Sequence, residues 1–155
     1  MECSTAVMHS RRDFLWLGIG ALCAGRAAAS GNDAVVLATA EPDAQPALTS
    51  VQVRKLFLGF TVLHGGHVLR PVRNRSDELL DKIFLQHVMT MSAEAYERRL
   101  LALTLQQGRP RPAEVHSRDE LIKALLGIPH SVSFAWQSDL DGVPAIHAVR
   151  TLWRP

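Results

Sequence analysis

The sequence predicts an α/β fold, a single compact domain with a mixed sheet covered by helices, and three observations carry that reading. A continuous apolar run, Ala34-Val35-Val36-Leu37-Ala38, stands near the start of the domain. Two strand-like segments, Ser131 to Trp136 and Pro144 to Thr151, close the chain, and capped helical segments fill the interval. Strands at both ends with helices between them favour one sheet with helices packed on it.

Each element follows in order. The first run has no polar interruption, which marks a strand buried on both faces. Glu41 to Pro46 is a polar, proline-containing loop. Thr49-Ser50-Val51-Gln52 has the form of a capping box and opens a short helix with apolar contacts at Leu56 and Phe57. Gly59 lies where a C-terminal cap belongs. His64-Gly65-Gly66-His67 is a turn, and Val68 to Arg73 reads as a strand interrupted by Pro71. A residue without an N–H places that strand at a sheet edge or ends it early. Ser76 can cap the next helix, in which Leu80, Phe84 and Val88, flanked by Leu79 and Ile83, keep helical spacing. Ser92 caps another, carrying Tyr96, Leu100 and Leu103. Gln106 to Pro112 is a breaker with Gly108, Pro110 and Pro112. Ser117-Arg118-Asp119-Glu120 is a second capping box, ahead of the stripe Leu121, Ile122, Leu125 and Leu126. Gly127 and Pro129 end that helix, and the two last strands turn at Asp139-Leu140-Asp141-Gly142.

The domain is preceded by a segment of different character. Ser10-Arg11-Arg12-Asp13-Phe14-Leu15 leads into an uncharged run from Phe14 to Ala24 and then Arg26-Ala27-Ala28-Ala29. Charged, apolar and small-residue zones in that order are those of a secretory signal. The run is too short for a membrane-spanning helix, which needs about 20 residues, so no permanent membrane anchor is expected. Ser10, Arg11, Arg12, Phe14 and Leu15 resemble a twin-arginine translocation motif, and Ala27 and Ala29 fit a cleavage site. Residues 1–29 are therefore read as a removable signal and 30–155 as the working domain, delivered to the periplasm. Leu22 before Cys23 is a poor match to a lipoprotein cleavage box.

Removal of the signal takes Cys3 and Cys23, the chain's 2 cysteines, and excludes disulfides, thiolate metal sites and cysteine nucleophiles from the domain. It also takes Arg11, Arg12 and Arg26 with Glu2 and Asp13, so the formal net charge falls from +2 to +1. Such a balance gives neither a nucleic-acid footprint nor a polybasic membrane patch.

Several segments together resemble one family. Val53-Arg54-Lys55-Leu56-Phe57-Leu58-Gly59, the turn at Gly66, Leu69-Arg70-Pro71-Val72, Asp81-Lys82-Ile83-Phe84-Leu85 and Leu126 to Phe134 follow the order found in small relatives of the phosphate-binding component of the phosphate ABC importer. The resemblance covers about residues 34–136 and implies one lobe, or a reduced version, of a type 2 periplasmic binding protein. It departs in the loops: Pro129 is kept, but His130, Ser131, Val132, Ser133 and Phe134 replace a Gly-Ala-Ile-Gly-Tyr pattern.

The resemblance also implies a ligand site. Arg73-Asn74-Arg75-Ser76-Asp77-Glu78 matches the segment that opens a phosphate-holding helix, so Arg73, Arg75 and Ser76 are the candidate ligand-binding residues for phosphate or another small anion. Free helix N–H groups, a hydroxyl and a bidentate guanidinium suit an anion. Asp77 and Glu78 stand where the family has Gly-Thr, placing carboxylates where the anion would sit. No cofactor, no metal site and no enzymatic motif is expected: there is no G-x-S-x-G or H-E-x-x-H, and the histidines His64, His67, His116, His130 and His147 are scattered. Two functions compete: an exported solute-binding-like protein for a small anion, working with a membrane permease, and a periplasmic interaction module that kept the fold and lost the ligand.

Overall fold

The computed structural model describes residues 33–41 and 48–155. Ser10, Arg11, Arg12, Phe14, Leu15, Ala27 and Ala29 lie outside them, as does most of the Glu41–Pro46 loop. Strand β1 (Val35–Thr39) is buried along its whole length, as an unbroken apolar run between two layers must be. Helix α1 (Ser50–Phe57) starts at a complete capping box, Thr49 accepting from the Gln52 N–H while the Gln52 side chain accepts from the Thr49 N–H. A hairpin of β2 (Leu63–His64) and β3 (His67–Val68) turns at Gly65-Gly66 and runs into β4 (Arg70–Asn74). Then come α2 (Glu78–Ile83), a π-helical segment (Phe84–Met89), α3 (Ala93–Gln107), β5 (Ala113–Val115), α4 (Arg118–Gly127) and β6 (Ser131–Trp136). A 3₁₀ turn (Gln137–Leu140) leads to β7 (His147–Trp153).

Five strands form one mixed sheet in the order β5-β4-β6-β1-β7. Strand β4 is parallel to β5 and β6, whereas β1 is antiparallel to β6 and β7. Alternation along the strands sends Val35, Leu37, Val132 and Phe134 to the layer built by α1, α2, the π-helical segment and α3. Ala38, Val72 and Ala135 face α4 through Leu121 and Leu125. In the first layer Phe84 stacks on Phe134 with centroids 3.7 Å apart, and Phe57 meets both edge-on at 4.8 and 5.6 Å. The predicted α/β class and helix-covered mixed sheet are those observed.

Four local expectations change. Pro71 does not mark an edge, because β4 lies between β5 and β6. Arg70 donates its N–H to His130 on the β6 side and Arg75 donates to Val115 on the β5 side, so by alternation Pro71 faces β5. The β5 ladder begins only opposite Val72, and no bond is lost where Pro71 has no donor. Ser76 does not cap α2; Asp77 does, accepting from the N–H groups of Leu79 and Leu80. The single helix read through Leu80, Phe84 and Val88 is α2 continued by the π-helical segment, which buries Phe84, Leu85, Val88 and Met89. The last strand begins at His147 rather than Pro144 and runs on to Trp153.

Candidate functional site

The carboxyl ends of β4 and β5 point the same way, and the chain leaves them for α2 and α4 on opposite faces of the sheet. In open α/β sheets the crevice beyond such a switch point is where ligands bind. Arg73, Arg75 and Ser76 all lie at this corner, but they meet different surroundings.

Arg73 is only 2% exposed. Its Nε and Nη2 donate to the two Asp81 oxygens at 3.0 and 2.9 Å, and its Nη1 donates to Glu97 at 2.5 Å and to Glu114 at 3.4 Å. These bonds use four of the five N–H groups of a guanidinium. The guanidinium also lies over the Tyr96 ring, 4.7 Å from its centroid. Burial opposes its charge, but the hydrogen bond and charge of Asp81 and the hydrogen bond of Glu97 outweigh that and raise its pKa above the usual arginine value. Burial likewise raises the Tyr96 phenol, which donates to the Phe57 carbonyl at 2.6 Å. Burial would raise Glu97 too, yet the Arg73 hydrogen bond and the Arg73 and Arg111 charges hold it below the ordinary carboxylate value.

Arg75 is exposed and makes one ion pair, with Glu114 at 3.3 Å. The Ser76 N–H donates to Asn74 Oδ1, while its hydroxyl has no hydrogen-bond partner among the described residues. The helix amides that an anion would use are taken: Asp77 holds those of Leu79 and Leu80 and also accepts from Trp136 Nε1 at 3.2 Å. At α4, the Glu120 N–H donates to Ser117 Oγ, and the Glu120 carboxylate accepts from the His116 N–H. At each helix start of this corner the chain's own side-chain oxygens thus hold capping amides: Leu79 and Leu80 at α2, Glu120 at α4.

The Leu126 to Phe134 segment does not complete the crevice. Strand β6 runs parallel to β4 with Arg70 opposite Ser131, so Pro129 and His130 flank the amino end of β4, a strand's length from Ser76. There His67 stacks on His130 with ring centroids 4.1 Å apart, and His130 Nδ1 lies 2.7 Å from Glu41. Burial would raise Glu41, but hydrogen bonds from His130 and the charges of His130 and His67 hold it below the ordinary value. No group of three or more metal-binding side chains converges among the described residues.

Asp81, Glu97 and Glu114 were missed as partners of Arg73. Their signal was there: a charged residue in a strand covered on both faces requires inward carboxylates, and Asp81 and Glu97 sit beside the buried positions Leu80 and Tyr96.

Solved structures of other proteins share this arrangement of elements. One match is a protein from Clostridium perfringens described as a phosphate ABC transporter substrate-binding protein with bound phosphate, at TM-score 0.59 and 16% identity, over 77% of this chain and 45% of that one. Another is PstS from Borrelia burgdorferi, at TM-score 0.54 and 15% identity, over 81% of this chain and 50% of that one. The fold is similar to that of about half of each of these two structures. The chain spans about half the length of these structures. No family model matches the sequence, and no curated protein does. No helix among the described residues is long and apolar enough to cross a membrane.

Proposed function

We propose that this chain is an exported, one-lobe recognition domain that acts in the periplasm by non-covalent interaction with another protein, its inherited anion corner closed by its own carboxylates. The observation that carries this reading is Arg73: the guanidinium best placed to hold an anion is 2% exposed and already donates to Asp81, Glu97 and Glu114. Leu101 and Leu105, one turn apart on α3, offer an apolar ridge to a partner at 50% and 76% exposure. A membrane permease and a second periplasmic protein are both candidate partners. Export through the twin-arginine pathway is part of the proposal and is tested by Arg11→Lys/Arg12→Lys, which should retain the precursor inside the cell.

Calorimetry with phosphate and sulfate tests the closed corner, and no saturable heat is expected. A photo-crosslinking side chain at Leu105 should give a discrete adduct in the periplasm, whereas one at Lys123 on α4 should not. A second reading, capture of phosphate or another small anion by Arg75 and Ser76 with Arg73 behind them, is favoured by the exposed Arg75 guanidinium and by the Ser76 hydroxyl, which has no partner among the described residues. Micromolar phosphate binding that disappears in Arg75→Ala would establish that second reading and overturn the first.

A further inference from the structure

At the opposite end of the sheet from the Arg73–Asp77 corner, a pocket of about 390 Å³ opens between the end of α1, the start of β4 and the Pro110–Ala113 segment. That volume lies within the range of about 300–1,000 Å³ typical of small-molecule sites. Its walls are apolar, built mainly by Leu56, Phe60, Val68, Leu69, Pro110 and Ile128. The wall at Gly59 is set tightly, since a Cβ there would lie 2.4 Å from the Pro110 carbonyl oxygen. Phe60 is held in place by Arg109, whose guanidinium lies 3.9 Å from the ring centroid.

The charged groups at this pocket have one sign. Arg70 and Arg111 line it, and among the described residues no carboxylate does. Arg111 is paired with Glu97, and Arg109 donates to Gln107 as well as covering Phe60. Arg70 is exposed and has no partner among the described residues. An apolar pocket with one uncommitted guanidinium at its mouth selects a ligand with an apolar body and a single anionic head. We propose that this pocket binds a small amphipathic organic anion, an alkyl or aryl carboxylate or sulfonate, with its apolar part against Phe60 and Leu69 and its head group on Arg70. The site uses none of Arg73, Arg75 and Ser76, the ligand residues that the phosphate-binding resemblance implies.

Decanoate, kept below its micelle concentration, is the probe, followed by displacement of anilinonaphthalene sulfonate fluorescence and by calorimetry. Decanoate should bind at one site per chain, with decanol and decyltrimethylammonium weaker by about tenfold or more, the scale of one charge-assisted hydrogen bond. Arg70→Gln should weaken decanoate by about that factor and leave decanol unchanged, while Arg70→Lys retains part of the preference. Ala113→Phe, at an exposed position of the lining, should abolish binding with the thermal transition preserved. Excess phosphate should not compete, which separates this site from the Arg75–Ser76 corner. Equal affinity for decanoate and decanol, no effect of Arg70→Gln, or no saturable binding would each overturn the proposal. So would a dimer in sedimentation that Ala113→Phe dissociates, because the pocket would then be filled by a second copy.

Discussion

Replacing Arg73 with alanine removes the one cation toward which three carboxylates converge. Asp81, with 14% side-chain exposure, loses a bidentate partner, and Glu114 at 32% and Glu97 at 41% are left facing it without the guanidinium between them. Removing one partner of a buried ion pair costs about 3–5 kcal/mol. Glu97 and Glu114 can turn toward water and shed part of the repulsion, so the lower end, about 3 kcal/mol, is expected. That is a large share of the roughly 5–15 kcal/mol that holds a domain folded. Urea unfolding followed by tryptophan fluorescence reads it directly. With a slope of about 1–3 kcal/mol per molar, the midpoint should fall by about 1–3 M with the slope unchanged. Arg75→Ala, at an exposed position with one ion pair, should stay within about 0.5 kcal/mol of the parent. A double-mutant cycle with Asp81→Ala should return a coupling of about 1–3 kcal/mol, because the two side chains act as one unit. Arg73→Ala losing less than about 1 kcal/mol, or losing phosphate binding with stability intact, would refute the structural role of this residue.

Three further outcomes follow from the same geometry. Glu97 and Glu41 are held below 4.5 in the folded state, so the stability they contribute is complete above that pH and is lost as the pH falls through their folded values; melting temperature between pH 6 and 3 should drop, and less steeply in Glu97→Gln. Gly59→Ala should lose at least about 1–2 kcal/mol in chemical denaturation, because its φ is +78° and the new methyl would meet the Pro110 carbonyl at 2.4 Å. Asp77→Ala should cost about 1–2 kcal/mol through the lost cap of α2 and the lost Trp136 hydrogen bond, whereas Ser76→Ala should leave the melting curve nearly unchanged.

What the sequence made legible was set by local rules. The apolar run of β1, the capping box at Thr49 and the cap at Ser117 act over three or four residues and lie where they were expected, although at Ser117 the Glu120 carboxylate accepts from the His116 N–H and does not close the box. Pro71 was misplaced because its compatibility with an interior strand depends on where β5 starts, 42 residues later, which no local pattern encodes. Ser76 and Asp77 are both good caps, and only the path of β4 decides between them: Asn74 Oδ1 takes the Ser76 N–H and leaves Asp77 at the cap. The site was harder still. Arg73 and Arg75 look alike in sequence and, two residues apart, would share a strand face; but β4 ends at Asn74, so Arg73 is buried under α2 and α3 while Arg75, past the strand's end, is 45% exposed. Asp81, Glu97 and Glu114 reach Arg73 from three separate elements, so their convergence is a property of the fold.

The two ends of the sheet therefore carry opposite electrostatic prospects for an anion. At the carboxyl end, Arg73, Arg75 and Arg111 are matched one for one by Asp81, Glu97 and Glu114, and Asp77 adds an uncompensated negative charge on the amides of α2. A phosphate entering beside Asp77 and Glu114 would face a repulsion of about 4 kcal/mol per pair of unit charges at 4 Å, taking an effective dielectric constant of about 20. It could gain Arg73 only by displacing a carboxylate from it. At the amino end the balance is reversed: Arg111 is taken up by Glu97, and Arg70 lines the pocket with no acid beside it among the described residues. Under the proposed reading, the carboxylates around Arg73 disfavour phosphate, and the apolar cavity beside Arg70, which has no partner among the described residues, favours an amphipathic anion in its place.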